Sequence, residues 1–150
     1  MTQIANDQQL RDALNALSPD QQRLMGAHFA ESVMHLCLDD RVRRAATLAL
    51  SSDPAPSELG DAMKAAKSYA VKTYTECGND TDWLKQADHF VAAAVTAALT
   101  PPDQLSAKTN PAWKAAVQAR MAKNCELMET DEGEEETESD RQYKIASQYL

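Results

Sequence analysis

Apolar residues recur at three- and four-residue intervals along almost the whole chain, and alanine is the commonest of them. No useful stretch alternates apolar and polar residues as a strand would, and β-branched residues are sparse. Aromatic residues make up 5% of the sequence. A core filled with such short side chains requires helix axes that approach toward the lower end of the about 8–10 Å range. The pattern predicts an all-α fold: an alanine-rich helical bundle of about six or seven helices, spanning residues 1–150 as a single domain.

Residues 18–50 organise that bundle. Ser18-Pro19 is a helix-start signal, an N-cap followed by proline in the first turn. Phe29, Ala30, Val33, Leu36 and Cys37 then form one apolar stripe of a helix expected to run to Leu38 and to be the central one. Asp39 and Asp40 end it and cap the next helix, whose inner face is Val42, Ala45, Ala46 and Ala49. A short helix over residues 7–17 precedes this pair. After the Pro54 and Pro56 loop, Ser57 is expected to cap a long helix with Leu59, Ala62, Met63, Ala66, Ala70 and Thr73 on one face, ending around Cys77 to Asp80. The next helix aligns Trp83, Ala87, Phe90, Val91, Ala94 and Ala98 and stops at Pro101-Pro102. Pro111 restarts a helix with an expected inner face of Trp113, Ala116, Val117, Met121, Cys125 and Met128. Residues 130–140 lack any apolar side chain and read as an acidic flexible linker. A short terminal helix through Tyr143, Ile145 or Ala146, and Leu150 closes the chain.

Charge and cysteine usage exclude several classes of function. The net charge is −8, and nine acidic residues with no Lys or Arg lie between Glu126 and Asp140. The remaining 14 acids (23 less those nine) face 15 bases, so the rest of the chain is close to neutral. That balance argues against a nucleic-acid partner, which needs a basic footprint, and favours a basic partner or simply solubility. Glu132, Glu134, Glu135 and Glu136 are the candidate contacts for such a partner. Residues 91–99 are too short an apolar run to span a membrane. The first 15 residues lack a signal-peptide pattern, so the chain reads as cytoplasmic. Cys37, Cys77 and Cys125 are odd in number and lie on or near apolar faces, as packing residues of a reducing compartment do.

His28, Glu31 and His35, with His89 from another helix, are the residues that most resemble a metal or catalytic site. On one continuous helix, however, His28 and His35 stand two turns apart, roughly 10 Å along the axis. A single ion with bonds of about 2.0–2.2 Å is not held across that distance. Neither a nucleophile with an adjacent base nor a glycine-rich phosphate cradle is present in the sequence. The residues thus predict no metal, no cofactor and no enzyme. The competing reading keeps a metal-binding or enzymatic bundle built on Glu31 and the histidines, and a third is a structural helper protein. The element Asp40-Arg41-x-Arg43 is expected to be structural, with Asp40 as a cap whose carboxylate pairs with Arg43 or Arg44 at i,i+3 or i,i+4; the other reading has the guanidinium forks fix an internal carboxylate such as Glu31, or a partner's.

Ala30-Glu31-x-Val33-Met34, followed by Asp40-Arg41-Val42-Arg43-x-Ala45, resembles the signature of an all-α family of bacterial immunity proteins. Phe29 stands in place of that pattern's cysteine and Val42 in place of its proline. His89-Phe90-Val91-Ala92-Ala93-Ala94 and the terminal Arg141-Gln142-Tyr143 are similar to later parts of the family. The resemblance implies a single-domain inhibitor that is encoded beside a polymorphic toxin and neutralises it by stoichiometric binding. Within residues 18–50 themselves, Glu31, Asp40, Arg41 and Arg43 are expected to form the structural polar cluster of the bundle.

Overall fold

A computed structural model describes residues 3–77, 82–105, 109–130 and 136–150. Among these the chain forms seven α-helices and no strand. They are α1 (Asp7–Asn15), α2 (Pro19–Glu31), α3 (Asp40–Ala49), α4 (Pro56–Cys77), α5 (Trp83–Leu99), α6 (Pro111–Thr130) and α7 (Glu138–Tyr149). Single 3-10 turns occupy Met34–Leu36 and Pro102–Gln104. No helix of the described residues is long and apolar enough to cross a membrane.

Local chemistry sets most of the helix ends. Ser18 and Gln21 form a reciprocal capping box on α2, and Thr137 and Asp140 do the same for α7. The Asn110 side chain accepts from the amides of Ala112 and Trp113 at the start of α6. On α4 the expected Ser57 cap is displaced. The helix begins a residue earlier with Pro56 in its first turn, and Glu58 accepts from the Ala55 amide at 3.3 Å. The interval expected to be a linker over residues 130–140 is also shorter, because α6 reaches Thr130 and α7 begins at Glu138. Residues 131–135, with Glu132, Glu134 and Glu135, lie outside the described residues, as do Gly78 and Asn79.

The predicted helix over residues 18–38 is instead two pieces. α2 stops at Glu31, and the 3-10 turn over Met34–Leu36 carries the chain on to Cys37. The stripe survives the break, since Phe29, Ala30, Val33, Leu36 and Cys37 are all buried. α5, not α2, is the central helix. Buried residues occupy most of its length, and it packs against α2, α3, α4 and α6. One core cluster gathers around it. A second joins Ile4, Leu10, Leu14, Met25, Phe29, Ala112, Ala116 and Ala146, and so ties α1 and α7 to α2 and α6.

The faces predicted for α3, α4 and α5 point inward, with Val42, Ala45, Ala46, Ala49, Ala62, Ala66, Ala87, Val91, Ala94 and Ala98 buried. On α6 the prediction is rotated. Ala112, Ala115, Ala116, Ala119, Ala122 and Cys125 face inward, whereas Val117, Met121 and Met128 are exposed. Alanine makes the close α5–α6 and α2–α6 contacts possible, and larger residues on that side would hold the axes apart.

The two described glycines sit in opposite surroundings. A Cβ added to Gly26 would stand 3.0 Å from the Ala98 Cβ and 3.3 Å from the Ala115 Cβ, so α2 needs glycine there for its approach to α5 and α6. A Cβ at Gly60, on the exposed side of α4, meets nothing within 4 Å. Gly60→Ala should therefore raise stability by about 0.5–1 kcal/mol through the helix-propensity difference alone. Thermal unfolding of Gly60→Ala and Gly26→Ala side by side checks this. A gain for Gly26→Ala as large as that for Gly60→Ala would contradict the packing described.

Candidate functional site

Asp39, rather than Asp40, is the N-cap of α3, with its carboxylate accepting from the Arg41 amide at 2.8 Å. The Arg41 guanidinium closes on the same carboxylate at 3.3 Å, and that hydrogen bond holds the Asp39 carboxyl below its usual range. Asp40 lies exposed in the first turn and pairs with Arg43 at 3.3 Å. Arg43 also donates to the Cys37 carbonyl at 2.5 Å, so it staples the start of α3 to the segment before it. The guanidiniums do not reach Glu31. Its side chain is exposed and faces His28 at 3.8 Å, next to α7. The polar cluster expected from Glu31, Asp40, Arg41 and Arg43 is thus not assembled: the three α3 residues form one local group, and Glu31 belongs to another.

The histidines are likewise separate. His28 stacks on Tyr149 with ring centroids 4.1 Å apart. His35, carried by the 3-10 turn, meets Glu126 of α6 at 2.8 Å. His89 lies against α4, with its Nδ1 2.9 Å from the Thr73 hydroxyl, and burial pushes its pKa down. Among the described residues no three His, Cys, Asp or Glu side chains converge on a point where an ion could sit. Cys37 and Cys125 are buried, and burial pushes the Cys37 thiol up in pKa.

The polar residues that do converge are ones the sequence reading passed over. Asp88 of α5 is 3% exposed and accepts from the Leu38 amide at 2.7 Å and from the Tyr69 hydroxyl at 2.5 Å. Burial, then the bond to Asp88, raises the Tyr69 pKa. Arg23, also buried, donates to the carbonyls of Ala49 and Ser51 and so closes the C-terminal end of α3. At the far side, Arg120 grips Asp7 with two hydrogen bonds of 2.8 and 3.1 Å and donates to Gln142. The bond from Arg120 lowers the Asp7 pKa against the opposing effect of burial. Gln142, fully buried, donates in turn to the Ala116 carbonyl.

No known protein family, curated protein or solved structure matches the chain. The site must therefore be judged on its geometry. Of the five described acids between Glu126 and Asp140, Glu126, Glu136 and Glu138 are paired with bases of the chain. Burial opposes ionisation of Glu126, but hydrogen bonds from Lys123 at 2.5 Å and from His35 outweigh it and lower its pKa. Glu138 is buried, and this raises its pKa despite hydrogen bonds from Ser32 and Arg141. Glu136 pairs with Lys144 and Arg141. Glu129 and Asp140 remain on the surface.

The overlooked residues did leave a signal. Asp88 shares the inner stripe of α5 with Val91 and Val95, and Glu138, Gln142 and Ala146 fall four residues apart on one side of α7. A polar residue in register with an apolar stripe marks a buried hydrogen-bonding node, and that criterion selects both positions.

Proposed function

We propose that the chain is a non-catalytic binding protein of the immunity type, which neutralises a basic protein toxin by forming a stoichiometric complex. The observation that carries this reading is the charge distribution: nine acids without a base from Glu126 to Asp140, in a chain otherwise near neutrality. The likeness of residues 30–45 to the immunity-family signature supports the same reading, and it makes a toxin encoded beside this chain the natural partner. In the described part of the acidic stretch, Glu126, Glu136 and Glu138 pair within the fold and Asp140 caps α7, which leaves the exposed Glu129 to meet a basic surface. Arg41 and Arg43 hold the start of α3 and are not assigned to the partner.

Long-range attraction between opposite charges accelerates association and is screened by salt, with a Debye length of about 8 Å at physiological ionic strength. The purified protein mixed with the product of the adjacent reading frame should give a 1:1 complex in which that product is inactive. Its association rate should fall at least about tenfold between low and physiological salt. A neighbour that is not toxic, or that forms no complex, overturns the reading. A rate that ignores salt removes the acidic stretch from it.

A further inference from the structure

A cavity of about 250 Å³ opens at the end of the bundle where α2, α4 and α6 begin and α5 ends. Its body is apolar, walled by Leu59 and Met63 of α4 and by Ala98 and Leu99 of α5. Pro19, Pro56 and Pro111, each the first residue of its helix, add to the wall, and proline has no N–H to offer a polar guest. Thr100 also lines the cavity, but its hydroxyl is spent on the Thr96 carbonyl at 2.7 Å. Water would find few partners in such a space.

Gly60 borders the same cavity from the exposed side of α4. Glycine within a helix is less stable than alanine. No close packing requires it here, because a Cβ would meet nothing within 4 Å. The missing side chain instead leaves access, since a larger residue at this position would stand in the mouth of the cavity.

Arg23 is the polar exception on the wall, and it says what the cavity takes. Its side chain is 10% exposed. Nε donates to the Ala49 carbonyl, Nη2 to the Ser51 carbonyl and Nη1 to Asp20. A guanidinium carries five N–H groups, so two are left, one on each Nη. Among the described residues its ion pair is a single contact of 3.3 Å with Asp20, whose carboxylate is 87% exposed. A pair of that kind offsets little of a buried charge. Asp20 lines the cavity as well, but at that exposure water and salt screen its repulsion of a second anion. An apolar body beside one incompletely compensated guanidinium is the complement of a small molecule with an apolar chain and a carboxylate.

We propose that this cavity binds a small apolar monocarboxylic acid, with its carboxylate on Arg23 and its chain between α4 and α5. At about 30 Å³ for each water-sized group, the volume suits a guest of roughly eight non-hydrogen atoms. The proposal does not rest on the toxin-binding reading, because none of these residues belongs to the acidic stretch.

Hexanoate, which is of that size, is the probe, titrated into isotope-labelled protein and followed by nuclear magnetic resonance. The amides of Leu59, Gly60, Met63 and Leu99 and the Arg23 Nε–H should shift, with a Kd below about 5 mM. Hexan-1-ol leaves water more readily, so an apolar cavity alone would prefer it; here it should bind at least about tenfold more weakly than hexanoate. Gly60→Phe, a change where the added Cβ meets nothing, should close the mouth and weaken hexanoate at least about tenfold. In Arg23→Gln the acid should lose its advantage over the alcohol, and continued binding of the alcohol shows that the cavity is intact. Failure of hexanoate to saturate by about 5 mM overturns the proposal, as do shifts confined to another part of the bundle. Equal or tighter binding of the alcohol, or indifference to Gly60→Phe, overturns it too. If hexanoate fails and Gly60→Phe instead weakens the complex with the basic partner, the cavity receives a side chain of that partner and the small acid is refuted.

Discussion

Phe29→Ala should destabilise the protein by about 3–5 kcal/mol, a large share of the roughly 5–15 kcal/mol that holds a domain of this size. Phe29 is fully buried and ranks first by volume among the fully buried side chains. It fills the second core cluster, where Leu10 and Leu14 of α1, Met25 of α2, Ala112 and Ala116 of α6 and Ala146 of α7 meet. Three of the other buried members of that cluster, Ala112, Ala116 and Ala146, have little bulk to move into the space, so the cavity would remain largely open. The loss should fall unevenly. α1 and α7 depend on this cluster, whereas α3, α4 and α5 rest on the other core. Urea unfolding should give the global cost, and amide exchange should show α1 and α7 opening before α5. A cost below about 1 kcal/mol would mean that Phe29 is not the plug of this cluster.

The sequence discloses the helices better than their surroundings. Ser18-Pro19, Asn110-Pro111 and Thr100-Pro101-Pro102 punctuate the chain through groups that act within one turn, and those boundaries are legible without tertiary knowledge. The end of α2 is not of that kind. No glycine or proline lies between Glu31 and Leu38, and the break is held from outside, by Glu138 accepting from the Ser32 hydroxyl and Asp88 accepting from the Leu38 amide. The face of α6 is misjudged for a different reason. Periodicity gives weight to large side chains, so Val117, Met121 and Met128 define the stripe, while tight helix contacts select the alanines opposite. For the candidate site the same limit applies. Glu31 and Arg43 are close in sequence, but the 3-10 turn redirects the chain between them and each finds a different partner.

Asp88 is the position where one side chain controls the most of this geometry. Its two carboxylate oxygens receive the Leu38 amide and the Tyr69 hydroxyl, which joins the corner before α3 and the middle of α4 to the central helix. Truncation to alanine would leave two part-buried donors without acceptors, each at about 1–3 kcal/mol, so Asp88→Ala should cost about 2–6 kcal/mol. Asp88→Asn keeps the shape and one acceptor oxygen, and the Tyr69 hydroxyl can rotate to accept from the new amide. It should therefore cost roughly half as much. Tyr69→Phe removes one of the two donors, and its effect should be largely lost in the Asp88→Ala background, as expected for two groups that act through each other. The corner released by these changes bears Asp39 and the Cys37 carbonyl, the anchors of Arg41 and Arg43. Amide exchange at Leu38 and across the first turn of α3 should accelerate in Asp88→Ala while that of α6 is little altered. Uniform acceleration throughout the bundle, or a stability loss under about 0.5 kcal/mol, would show that the corner is held by Arg43 and the packing of Cys37, and that Asp88 is only accommodated there.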